Sequence, residues 1–249
     1  KPGRQMLARV LDRLVDRYQV DLVVANGENS AGGFGLTSEI LRELRSLGVD
    51  VITTGNHVWD KREIIDVLER DKGLLRPANY PAGTPGCGHG VFETPGGVKV
   101  GILNLEGRVF MNNLDCPFTL ADKLVDELRQ QTPLIFIDFH AEATSEKMAL
   151  GWYLDGRVSA LVGTHTHVQT ADERVLPGGT AFISDVGMTG SRDGVIGMGR
   201  EAVIEKFLTQ RPARFEVAKK DPVLCAVVID IDETTGKARQ IERVMELAD

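Results

Sequence analysis

Apolar positions along this chain switch between two periods. Met6, Leu7, Val10, Leu11, Leu14 and Val15 recur at spacings of three and four, which places them on one face of a helix over 5–18. Asp21-Leu22-Val23-Val24-Ala25-Asn26 follows directly, a short apolar run suited to a strand buried on both faces. A second helix is expected over 38–47, stopped by Gly48, and a second buried strand over 49–54. Asp60-x-x-Glu63 has capping-box spacing and predicts a third helix from 60 to 69. Beyond a stretch rich in Pro and Gly, residues 91–94, the turn Pro95-Gly96-Gly97 and residues 98–105 read as a hairpin. Further strands are expected over 134–139, 160–162, 181–184 and 224–231, with helices over 120–129, 145–154 and 201–209. Neither a repeat nor a low-complexity tract divides the chain, so the alternation predicts one α/β domain over 1–249, with mixed sheets flanked by helices.

Side chains able to bind metal cluster just after four of the predicted strands. Asn26-Gly27-Glu28-Asn29 follows the first, Gly55-Asn56-His57 the second, His140 the strand over 134–139, and Gly163-Thr164-His165-Thr166-His167 the strand over 160–162. The C-terminal ends of strands are where open α/β sheets place their sites. The set suits two adjacent cations: Glu28 has two oxygens with which to bridge, Asn29 and Asn56 offer carbonyl oxygens, and His140, His165 and His167 offer imidazole nitrogens. Mixed N/O ligation fits Fe, Mn or Zn better than Ca or Mg. On an extended segment His165 and His167 would project to one side, one for each metal.

Each element alone has a plainer explanation. A single histidine such as His140 is more often structural than a ligand, Asn56 could occupy a turn, and Glu28 could be a surface carboxylate. Four of the five histidines nevertheless fall at strand ends within Gly- and Asn-rich loops, and the joint pattern favours metal. The fifth, His89, lies among glycines and reads as loop or surface. The glycines of Ser30-Ala31-Gly32-Gly33-Phe34-Gly35 could bring backbone N–H groups to a phosphate or merely form a turn, since no GKS/T sequence marks a Walker loop. Arg108 is open between a phosphate contact and a structural salt bridge.

Composition narrows the partners. With 36 acidic against 29 basic residues and a net charge of −7, the chain lacks the basic excess needed to grip duplex nucleic acid, although bound cations can reverse the field inside an acidic cleft. Cys87, Cys116 and Cys225 lie outside CxxC spacing and read as small buried or half-buried thiols in a reducing, cytoplasmic setting. No run approaches the roughly 18 apolar residues of a membrane span, and Lys1-Pro2-Gly3-Arg4 does not look like a signal peptide, so a non-membrane protein is expected.

Together these blocks resemble a known family. Gly55-Asn56-His57 and Gly163-Thr164-His165-Thr166-His167 are similar to the GNH and GHxH-type blocks of calcineurin-like metallophosphoesterases. Asn26-Gly27-Glu28-Asn29-Ser30-Ala31-Gly32-Gly33, Asp138-Phe139-His140-Ala141-Glu142-Ala143-Thr144-Ser145-Glu146-Lys147 and Gly163-Thr164-His165-Thr166-His167-Val168 resemble the bacterial YmdB-type subfamily, across essentially the whole chain. The resemblance implies a four-layer α/β/β/α sandwich and a di-metal site, most readily di-iron, that hydrolyses small phosphodiesters, including 2',3'- or 3',5'-cyclic nucleotides, by attack of a metal-activated hydroxide. By motif position it implies that Glu28 bridges the metals, Asn29 and His167 bind the first, Asn56, His140 and His165 bind the second, and His57 donates a proton. It also implies a homo-oligomer, and a preceding strand whose Gly-Asp motif supplies a further ligand; Lys1-Pro2-Gly3-Arg4 resembles the segment just after that motif, so that strand is expected to be absent from this numbering. Substrate-binding residues are not indicated. Two other functions fit the same residues: a regulatory protein that binds a nucleotide with little turnover, and a phosphomonoesterase such as a nucleotidase.

Overall fold

The computed structural model describes residues 1–248. Helix α1 (Pro2–Tyr18) is followed by β1 (Val24–Asn26), α2 (Ser38–Ser46), β2 (Val51–Thr53), α3 (Ile64–Arg70) and the short β3 (Leu74–Leu75). The middle of the chain forms β4 (His89–Glu93), β5 (Lys99–Glu106), α4 (Pro117–Arg129), β6 (Ile135–His140), α5 (Thr144–Tyr153) and β7 (Ala160–Thr164). It finishes with β8 (Arg174–Val175), β9 (Ala181–Ile183), β10 (Thr189–Ser191), α6 (Arg200–Thr209), β11 (Pro222–Ile231) and β12 (Ala238–Leu247).

A six-stranded sheet, ordered β4-β5-β6-β7-β9-β8, has a parallel centre and antiparallel edges. Two three-stranded sheets, parallel β1-β2-β3 and antiparallel β10-β11-β12, pack on one of its faces. Val51, Leu75, Ile102 and Phe136 join the first pair of sheets, and Val162, Ile183, Ile241 and Val227 the second. On the opposite face of the large sheet, α4 and α5 bury Leu124, Val125, Leu128 and Leu150 against Ile135, Ile137, Phe139 and Leu161. Helices α1, α2 and α3 cover the small sheets; α1 reaches both, with Leu11 packed over the parallel one and Met6, Val10 and Leu14 over β11 and β12. The result is the expected stack of helix, sheet, sheet and helix layers.

Two local readings change. Residues 60–63 do not open a helix: α3 starts at Ile64, and the Glu63 carboxylate instead accepts from the backbone N–H of Ser38 (2.7 Å), at the first turn of α2. There it joins Thr37, whose hydroxyl accepts from Ile40 (3.3 Å), in satisfying amides that have no partner within the helix. His89 lies in a strand, β4, half-buried and 3.6 Å from Glu127, rather than in a loop.

Candidate metal centre

Both sheets deliver their C-terminal ends to one place. Glu28 and Asn29 lie in the turn after β1, Asn56 and His57 in the turn after β2, His140 is the last residue of β6, and His165 and His167 follow β7. Asp138 of β6 fastens the two sheets together, accepting from Asn26 Nδ2 (3.1 Å) at the end of β1 and from the Thr53 hydroxyl at the end of β2. Glycine at 55 is demanded by closeness, because a Cβ there would collide with the His140 ring.

The inward atoms converge. His140 Nε2 lies 3.0 Å from Glu28 Oε2, 3.0 Å from Asn56 Oδ1 and 3.0 Å from His165 Nδ1. One ring nitrogen cannot donate to three partners, and electron-rich atoms held this closely repel unless a cation sits among them. Glu28 and His140 are fully buried, and with His165 they form a group whose ligating atoms all lie within 4.8 Å of one another. Beside this group, His167 Nε2 is 3.0 Å from Asn29 Nδ2, and Asn29 Nδ2 is 3.4 Å from Glu28 Oε2. Asn29 Oδ1 is buried without a hydrogen-bond partner among the described residues, as a carbonyl meant for a metal would be. Glu28 thus stands between two subsets, and its other oxygen accepts from the His57 amide (2.7 Å).

The outward nitrogens are each occupied. His140 Nδ1 donates to the Thr164 hydroxyl (2.9 Å), which itself donates to Asp138 (2.7 Å). His165 Nε2 is 3.0 Å from the Glu142 carboxylate, and His167 Nδ1 donates to the Ile196 carbonyl (3.0 Å). Such outer bonds fix the tautomer of a ligating imidazole and leave its other lone pair facing inward. Burial opposes charge on both Glu28 and His140, yet each stabilises the other's charged form: the Glu28 carboxyl is held below its usual range and the His140 imidazole above its own. The donor set and its outer bonds therefore fit bound metal.

The His165-Thr166-His167 segment is not extended as expected. β7 ends at Thr164, and both histidines have positive φ, 108° and 66°, conformations that non-glycine residues adopt rarely and mostly at functional sites. The bend sends His165 to Glu28 and His140, and His167 to Asn29. Buried Lys147 and Asp185 form an ion pair (2.9 Å), and Asp185 also accepts from the Thr166 amide (3.0 Å), which anchors the bend. Gly163 just before it lets the chain pass so near Ser184 that a Cβ would collide with its carbonyl oxygen.

Asp60, expected in a helix cap, accepts from His57 Nδ1 (2.9 Å) and orients that ring, while Phe34 meets it edge-on at 5.1 Å. The glycine-rich loop forms a turn in which the amides of Ser30, Ala31 and Gly33 donate to the carbonyls of Gly27, Gly35 and Asn29. Arg108 forms no salt bridge among the described residues; its side chain is exposed and only its amide is held, by Glu146 (3.0 Å). Sequence reasoning missed Asp60, Glu142, Thr164, Asp138, Lys147 and Asp185 as parts of the site. Only Asp138 and Glu142 carry a signal, flanking His140 two residues to either side.

The profile of the YmdB-like protein family matches residues 1–244. Over 244 residues, 98% of this chain and 92% of the other, the sequence is 54% identical to a Bacillus subtilis (strain 168) protein named 2',3'-cyclic-nucleotide 2'-phosphodiesterase. The fold superposes with a TM-score of 0.93 on a Thermus thermophilus protein of 42% identity, covering 100% of this chain and 96% of that one. A phosphatase from Mycoplasma pneumoniae, 36% identical, superposes with a TM-score of 0.92 over 99% of this chain and 89% of its own.

Proposed function

This chain belongs to the YmdB-like family, and on that premise we propose that it is a di-metal phosphodiesterase of small phosphodiesters, 2',3'-cyclic nucleotides above all. The observation that carries this reading is the convergence on His140 Nε2 of a carboxylate oxygen, an amide oxygen and a second imidazole nitrogen, each 3.0 Å away. Glu28, Asn29 and His167 would hold one ion, and Glu28, Asn56, His140 and His165 the other. Iron is the first choice for both, with manganese or zinc as alternatives. Ions bound there would supply Lewis acidity toward the phosphoryl group and a nucleophile at neutral pH.

The protein's own groups do the rest. Asp60 accepts from His57 Nδ1 and leaves Nε2 as the position from which a proton passes to the departing ribose oxygen. Glu28 ties the His57 amide to the cluster, so the proton donor and the ligands share one rigid support. The outer bonds of His140, His165 and His167 keep the ligand set in place before substrate arrives. Among the described residues no helix is long and apolar enough to cross a membrane, and the three unpaired, half-buried thiols support a cytoplasmic setting. Family resemblance alone supports a homo-oligomer.

A monoesterase is the second reading, favoured by the Mycoplasma pneumoniae neighbour described as a phosphatase. Elemental analysis of the purified protein, paired with hydrolysis of 2',3'-cyclic AMP and of 3'-AMP under added Mn or Fe, separates the two. Close to two metals per chain with turnover of the cyclic diester is the expected result. Turnover of 3'-AMP alone would make the protein a monoesterase, and tight binding of the diester without product would make it a nucleotide-binding regulator.

A further inference from the structure

The loop after β5 presents an aromatic ring that the metal centre does not use. Phe110 is 90% exposed and has φ of +63°, a left-handed conformation costly for a bulky residue. Neither feature comes from a slack loop, because both shoulders are fastened. The amides of Arg108 and Val109 donate to the Glu146 carboxylate (3.0 and 3.2 Å), and Asn112 Nδ2 donates to buried Glu106 (3.2 Å). The ring is held out into solvent, at a place that matters. With Met111, Asn112, Asn56 and His165 it lines a cleft of about 330 Å³, so one wall of the cleft belongs to the metal centre and the other to this loop.

The lining indicates what the outer part of the cleft would take. Neither lysine nor arginine is among the lining residues, so nothing there favours a second phosphate; the loop side offers an aromatic face, a thioether and a neutral amide. That chemistry suits a flat, uncharged, polar-edged group, and the volume lies near the ~300 Å³ lower end for small-ligand sites. We propose that this cleft is the nucleobase subsite of the enzyme, with the Phe110 ring as the platform on which the base stacks while its phosphodiester lies at the metal centre. Stacking on an exposed ring accepts every base, because every base has a π-face, and favours the larger purines. This inference rests on the phosphodiesterase reading and adds to it the side of the substrate that is recognised.

The test compares 2',3'-cyclic AMP with the 2',3'-cyclic phosphate of methyl riboside, which has the same reacting group and no base, on metal-loaded protein. Wild type is expected to prefer the nucleotide by about tenfold in kcat/KM, mostly through KM, in line with the strength of base-aromatic stacking. Phe110→Ala and Phe110→Leu should bring that preference down toward one, while Phe110→Trp keeps it. The Kd for adenosine 3'-phosphate, measured by calorimetry, should rise about tenfold in Phe110→Ala. A preference retained in Phe110→Ala, a Phe110→Leu variant that behaves as wild type, or an unchanged Kd would each overturn the subsite. Failure of wild type to hydrolyse either substrate would instead overturn the phosphodiesterase reading, and the subsite with it.

Discussion

The two walls of the cleft are built in opposite ways. On the side of the proposed metal centre His140 and Glu28 are buried, each histidine proposed as a ligand has its outward nitrogen occupied, and the carboxylate of Asp138 binds β1, β2 and the Thr164 hydroxyl together. On the loop side, the Phe110 ring stands in water on a chain fastened only at its shoulders. A ligand set must be rigid before substrate arrives, because charge stabilisation is strongest from groups that do not reorganise. A surface that receives a variable part of the substrate needs only to be displayed. Substitutions on the first wall should therefore act on metal binding and turnover, and those on the second on substrate preference.

The sharpest way to break this contrast is His140→Ala. It removes the atom on which the cluster converges and should lower kcat on the order of 10³-fold, as expected from losing several kcal/mol of charge stabilisation, with the metal content falling in parallel. Wild-type turnover in this variant would place the chemistry elsewhere. A milder cut is Thr164→Val, which deletes the hydroxyl between Asp138 and His140 without touching a ligand. Metal affinity, titrated with Mn, should weaken about 10- to 100-fold, the usual range for outer partners of a ligating histidine; no change would mean that the ring is held by packing alone.

Glu106 marks the joint between the walls, buried at the end of β5 and bonded to Asn112 of the loop. Burial pushes its carboxyl up to about 7, and burial together with Glu106 lifts neighbouring Tyr80 to about 12. Because the folded value lies above the ordinary carboxylate range, the folded state holds the Glu106 proton more tightly than the unfolded chain. Its contribution to stability is full below the unfolded value and is lost as pH rises through about 7. In urea melts of metal-stripped protein, wild type should lose about 2 kcal/mol more than Glu106→Gln between about pH 5 and pH 7. Equal losses would show that this carboxyl is ionised throughout.

Much of this is legible in the chain because it depends on neighbours in sequence. The helices announce themselves through apolar spacing, and each proposed ligand is visible because it comes within a few residues of the end of a strand. Strand β12 is not, because its buried residues Ala238, Ile241 and Val244 recur every third position, a spacing foreign to a strand. A bulge where Asp230 pairs with Gln240 but Ile231 with Ala238 puts Ala238 on the face of Ile241, toward the large sheet. Val244 points the other way, to α1. Asp60 misleads for a related reason: a carboxylate three residues before another looks like a cap until the folded turn brings His57 to it.

From its sequence alone the chain determined most of its helices, its longer buried strands and which residue types stand at the strand ends, since periodicity and motif are local; the four-layer stack was legible only through the family resemblance. Tertiary structure decided what those residues meet. The bend that parts His165 from His167, the meeting of His140 with Glu28 and Asn56, and the exposure of Phe110 beside the metal centre all depend on contacts between segments far apart in the chain, and on the conformational cost that only a packed surrounding can impose.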